Sequence, residues 1–174
     1  ISKRPSPITP TVDFDRDGLL DLFLGGRVVP REYPLPARSA LLLNRGGRFE
    51  DVTATLASDL LQPGLVTSAI WSDIDGDGWP DLVLAFEWGP VRCWRNDRGR
   101  RLVEMGDAAG FASAGSGWWT SLASADFNAD GRPDFVIGNA GLNTPYRADP
   151  AHPALLFHGD FRGNGTPIAI EALF

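Results

Sequence analysis

Half of the 22 acidic side chains in this chain fall into three short segments that share one pattern. Asp13, Asp15 and Asp17 precede Gly18, Leu19 and Asp21. Asp73, Asp75 and Asp77 precede Gly78, Trp79 and Asp81, and Asp126, Asn128 and Asp130 precede Gly131, Arg132 and Asp134. Three carboxylate or amide oxygens crowded onto positions 1, 3 and 5 of one turn repel each other, and a hard cation between them relieves the repulsion. Ca²⁺ suits the pattern: positions 1, 3 and 5, a backbone carbonyl at position 7 (Leu19, Trp79, Arg132) and a carboxylate at position 9 complete an oxygen shell, whereas Mg²⁺ tolerates a flexible all-protein cage poorly. Glycine at position 6 permits the reversal that aims these groups inward. Three bound Ca²⁺ would cancel the formal net charge of -6. The competing reading of any one loop is a metal-free turn whose aspartates accept backbone amides. Three aligned copies weigh against it. Asn128 removes a charge from the third set and is expected to weaken that site.

Each loop runs straight into an apolar triplet: Leu22-Phe23-Leu24, Leu82-Val83-Leu84 and Phe135-Val136-Ile137. These exits show no helical period, and position 12 is apolar, which excludes a helix-loop-helix calcium sensor. The loops recur in a unit of roughly 55 residues. A second shared feature lies downstream, where Leu41-Leu42-Leu43-Asn44 precedes Gly46-Gly47 and Cys93-Trp94-Arg95-Asn96 precedes Gly99. Two hairpins per unit imply four short antiparallel strands, the blade of a β-propeller. With 20 glycines and 14 prolines to make turns, the expected fold is all-β, in about three blades near residues 9–54, 67–106 and 119–174. The Asp160 segment has Arg162 and Ile168 at positions 3 and 9; it is expected to be a metal-free turn between the third and fourth strands of the last blade. Three blades fall short of the four to eight that close a ring. The chain therefore reads as part of a larger propeller, and its open blade edges allow self-association.

The three loops, together with the phrase Leu42-Leu43-Asn44-Arg45-Gly46-Gly47-Arg48-Phe49-Glu50-Asp51-Val52-Thr53, resemble the FG-GAP/VCBS repeats, including those of integrin α-subunit propellers and cartilage acidic protein-like relatives. The resemblance implies Ca²⁺ at the first hairpin of each blade and an extracellular, periplasmic or cell-surface location. It also implies a role in adhesion, in glycan or protein binding, or as an appendage to a polysaccharide-active enzyme.

In an up-and-down blade the aspartate loops and glycine turns share one end. A ligand is then expected at the other end, on the connections Gly25 to Ser39, Glu87 to Pro90 and Gly138 to Pro153 and the interblade segments Ala54 to Ser68 and Gly106 to Trp119. Tyr33, Trp88, Trp118, Trp119 and Tyr146 are the candidate contacts, because aromatic rings beside amides and charges suit a sugar or a protein. Trp71, Trp79 and Trp94 lie in or beside strands and are expected in the core. Trp118 and Trp119 are adjacent and cannot both face inward on a strand. Enzymatic chemistry is not expected. His152 and His158 have no nucleophile pattern around them, and most carboxylates belong to the loops. The acidic balance argues against nucleic acid, no apolar run is long enough to cross a membrane as a helix, and the lone Cys93 fits a buried strand.

Overall fold

The computed structural model describes residues 8–149 and 151–173; the expected end of the last unit, at 174, lies outside them. In the first unit β1 (Thr11–Val12) enters loop 1 and β2 (Asp21–Leu24) leaves it. With β3 (Ala40–Asn44) and β4 (Phe49–Asp51) they form a four-stranded antiparallel sheet in chain order. The second unit repeats this plan with β5 (Leu65–Ser72), β6 (Asp81–Pro90), β7 (Arg92–Asn96) and β8 (Leu102–Glu104). One-turn helical segments at Thr53–Leu56 and Ser58–Leu60 carry the chain from one sheet to the next.

Side-chain alternation on β6 explains how the sheets stack. Successive residues of a strand point to opposite faces. Leu82, Leu84 and Phe86 join Phe14, Phe23, Leu41, Leu43 and Trp94 in one core, while Val83 joins Cys93 and Val91 in a second, lined by Phe111, Trp119, Phe135 and Ile137. The second sheet is thus covered on both faces, which is why β6 is buried at every residue from Asp81 to Glu87. A strand of this kind reads as a continuous apolar run.

The third unit departs from the expected four-stranded blade. β9 (Ser116–Ala125) and β10 (Asp134–Asn139) flank loop 3, and β11 (Leu155–Gly159) and β12 (Ile168–Ala172) flank the Asp160 turn. Among the described residues β10 and β11 do not pair. Instead β9 pairs with β6, and β11 and β12 form a sheet of their own. The β9–β6 pairing uses the length of β6, whose ladder with β7 ends at Leu84. Beyond it the same edge is taken over by β9 at Glu87, Gly89 and Pro90. A register shift between Glu87 and Gly89 leaves Trp88 unpaired, at a backbone φ of 61°. Glu87 to Pro90, expected as a connecting loop, is therefore strand, as are the ends of three other expected connections at Leu65–Ser68, Ser116–Trp119 and Gly138–Asn139. The sheets are all-β and open, with no closed ring among the described residues.

Candidate functional site

The three aspartate loops share one hydrogen-bond skeleton. The position-1 carboxylate accepts the position-6 glycine amide: Gly18 N to Asp13 Oδ2 at 3.1 Å, Gly78 N to Asp73 Oδ2 at 2.9 Å, and Gly131 N to Asp126 Oδ2 at 2.9 Å. Position 5 accepts from position 7, with Leu19, Trp79 and Arg132 donating to Asp17, Asp77 and Asp130 at 2.9 Å each. Position 9 accepts from position 2: Phe14 N to Asp21 at 2.8 Å, Ile74 N to Asp81 at 3.0 Å, and Phe127 N to Asp134 at 2.9 Å. The glycines take φ of 88°, 84° and 82°, conformations that cost an L-residue about 1–2 kcal/mol. The Asp160 turn keeps the first two bonds, with Gly165 N on Asp160 and Thr166 N on Asn164. It has no carboxylate at position 9, where Ile168 stands.

This skeleton gathers oxygens in two of the loops. One carboxylate oxygen each from Asp13, Asp15 and Asp21 lie within 4.8 Å of one another, as do oxygens of Asp73, Asp75 and Asp81. These two triads can hold a metal ion. The fit is best tested in loop 1, where Asp13 Oδ1 and Asp15 Oδ1 are buried atoms with no hydrogen-bond partner. Leaving a buried polar atom unsatisfied costs about 1–3 kcal/mol, and a cation between the two oxygens would remove that penalty. Asp21 and Asp81 are fully buried. Burial raises both their pKa values, opposed by the amides of Asn44 and Phe14 on Asp21 and of Asn96 and Ile74 on Asp81. In loop 3 the Asn128 amide instead donates to Asp130 at 3.2 Å, and no triad of carboxylates forms there among the described residues.

The surroundings of loops 1 and 2 differ. Arg45, in the turn between β3 and β4, bonds Asp15 Oδ2 at 3.0 Å and lies 3.5 Å from Asp17 Oδ2, so the glycine turn does share an end with the loop. At the matching position of the second unit stands Asp97, held by Arg100 and Arg101.

Four of the five aromatic candidates meet at the other end. Trp88, Trp118 and Tyr146 form a cluster with ring centroids 5.4–5.9 Å apart. The Trp88 indole N–H donates to the Tyr33 hydroxyl at 2.6 Å, and that hydroxyl donates to Glu87 at 2.8 Å. Glu87 is buried and takes the Arg27 guanidinium on its other oxygen. Burial, then the Glu87 carboxylate, pushes the Tyr33 pKa up to about 12. Trp119 is not in the cluster: it packs on the Val83 core, as adjacent strand residues require. Trp94 is fully buried and Trp71 packs on the same core, whereas Trp79 lies half-buried under Arg16. Arg27 and Arg16 carry no motif of their own. For Asn96 a signal existed, because Asn44 and Asn96 recur before the glycine turns of two units.

Stacked antiparallel sheets, with an acidic loop of fixed hydrogen-bond pattern at the first hairpin of each unit, define an all-β repeat protein of the β-propeller type. The FG-GAP-like repeat family matches residues 13–84 and again residues 73–137, each match running from one aspartate loop through the strand that leaves the next. Together the matches cover well over half of the chain, which belongs to the FG-GAP-like repeat family. No curated protein matches it in sequence.

Proposed function

We propose that this chain is a Ca²⁺-stabilised, non-catalytic binding module that works outside the cytoplasm, with the cation stiffening the loop end and a protein or glycan ligand met at the aromatic end. The observation that carries the reading is the pair of carboxylate triads with two orphaned oxygens in loop 1. Asp13, Asp15, Asp17 and Asp21 would hold one ion with the Leu19 carbonyl, and Asp73, Asp75, Asp77 and Asp81 a second with the Trp79 carbonyl. Asp126, Asn128, Asp130 and Asp134 would hold a third, weaker one with the Arg132 carbonyl. The cation supplies charge neutralisation; the chain supplies the fixed skeleton around it. A ligand bound only by the native state raises stability by RT ln(1 + [L]/Kd). Thermal unfolding after EDTA treatment, repeated across a Ca²⁺ titration, should show a rising Tm that equal Mg²⁺ does not reproduce. An unchanged Tm with no metal in elemental analysis would end the reading.

A second reading is favoured by one observation. Phe127, Val136, Phe157, Phe161, Ile170 and Leu173 of the third unit are exposed, from 41% to 64%, and a partner covering that unit would take this apolar surface out of water. Self-association through this side would give a solution mass that is a multiple of 18.8 kDa.

A further inference from the structure

Loops 1 and 2 are joined to each other in two places. Inside, the two position-9 carboxylates are linked by a line of hydrogen bonds. Asp81 Oδ1 accepts from Asn96 N at 2.8 Å, Asn96 Nδ2 donates to the Phe14 carbonyl at 3.1 Å, and Phe14 N donates to Asp21 Oδ2 at 2.8 Å. All four residues have zero exposure. Outside, Arg16 at position 4 of loop 1 donates to the Gly78 carbonyl of loop 2 and lays its guanidinium 4.1 Å above the Trp79 ring. Arg16 holds φ at 61°, a strained value for a residue with a side chain. Trp79 is the position-7 residue whose carbonyl the second site would use.

Among the described residues loops 2 and 3 lack such a link. Ile74, the counterpart of Phe14, meets the third unit by apolar packing against the core that holds Phe111 and Phe135. Besides the β6–β9 backbone pairing far from the loops, these units share the polar contacts Ser72 Oγ with Ser124 Oγ at 3.4 Å and Leu122 N with Ser68 Oγ at 3.1 Å. Among the described residues neither reaches a loop-3 carboxylate.

We propose that loops 1 and 2 form one coupled cation-binding unit, in which filling either site raises the affinity of the other, with Asn96 and Arg16 as positioning residues, while loop 3 titrates alone. The proposal rests on the Ca²⁺ reading above. A cation drawn to Asp13, Asp15 and Asp21 fixes the Asp21 carboxylate. The Phe14 peptide then fixes Asn96 through its side chain, and the Asn96 backbone amide holds Asp81 in the orientation its own triad needs. Buried hydrogen-bond networks polarise and align as a unit, and the coupling is reciprocal by thermodynamic necessity. Arg16 adds a second brace on the backbone beside the position-7 carbonyl.

The test is calorimetric Ca²⁺ titration of the whole chain and of Asp75→Asn, Asp130→Asn and Arg16→Gln, with circular dichroism to confirm folding. Coupled sites typically change each other's affinity about 5- to 150-fold. The wild type should take up two ions in one cooperative step. Asp75→Asn, which touches no loop-1 ligand, should weaken loop 1 at least about fivefold. Arg16→Gln is an exposed change; it should keep the stoichiometry but split the step in two, and Arg16→Lys should restore it in part. Asp130→Asn should leave the cooperative step as it was. A wild type that binds Ca²⁺ at independent sites, or a loop-1 affinity unmoved by Asp75→Asn, overturns the coupling and leaves the Ca²⁺ reading standing. A wild type that binds no Ca²⁺ overturns both.

Discussion

Phe14 and Phe127 occupy the same position of the same loop, donate the same amide to the same position-9 carboxylate, and end in opposite environments: the first is 0% exposed and the second 64%. The local skeleton is therefore not what buries the residue. Burial comes from the following unit. Loop 1 is roofed by the second unit through Trp71, Asn96 and Gly99. Loop 3 has no such roof among the described residues. A repeat of this kind repeats its turns faithfully, while its stability depends on each unit's neighbour, as nearest-neighbour accounts of repeat proteins require.

The contrast predicts a series of paired substitutions. Phe14→Ala should cost about 3–5 kcal/mol, the range for deleting a buried phenylalanine, and Phe127→Ala should stay within about 0.5 kcal/mol, as surface changes do. Denaturant midpoints of the two variants check this, and equal losses would break the comparison.

Gly46 and Gly99 offer a finer pair, because both lie in the glycine turns of their units and hold φ at 72°. A Cβ at Gly46 would meet nothing within 4 Å, whereas at Gly99 it would stand 2.8 Å from the Asp15 Cα. Both alanine variants incur the left-handed penalty. Gly99→Ala should lose about 1–3 kcal/mol more, the usual cost of overpacking, and this difference measures the contact between units directly. Asn96→Ala strips partners from the Phe14 carbonyl and the Gly99 amide, while its backbone amide stays on Asp81, and should cost about 1–3 kcal/mol. Asn44→Ala, whose amide reaches the Leu20 carbonyl at 3.3 Å in an exposed setting, should cost less.

The smallest effect belongs to a contact within one sheet. The Arg92 guanidinium holds Glu104 in a two-point pair at 2.6 and 2.7 Å and lowers its pKa. A lowered carboxylate pKa adds stability that is present above the ordinary range and lost as pH falls through the folded-state value. Glu104→Gln should remove about 0.2–1 kcal/mol at neutral pH, as for a partly exposed pair, and flatten that part of the acid limb.

How much of this could be read in the chain beforehand divides along the same line. The loops, the strands leaving them and the chemistry of their oxygens are local, and spacing alone exposed them. The aromatic end was partly legible, since Tyr33, Trp88, Trp118 and Tyr146 carry their class in their residue type. What stayed hidden lies far apart in the chain: Asn96 against Phe14, Arg27 against Glu87, Arg16 against Gly78. The reach of β6 was hidden for another reason. Gly89-Pro90 ordinarily marks the end of a strand, but a bulge at Trp88 and the arrival of β9 let the ladder run on through it.

That extended strand has a topological consequence. β9 is held to β6 by backbone pairing at Glu87, Gly89 and Pro90 and by the shared Val83 core, so the peptide bonds between residues 105 and 115 are not what keeps it there. A protease cut in that linker should yield two pieces on a denaturing gel that still travel as one particle through a sizing column.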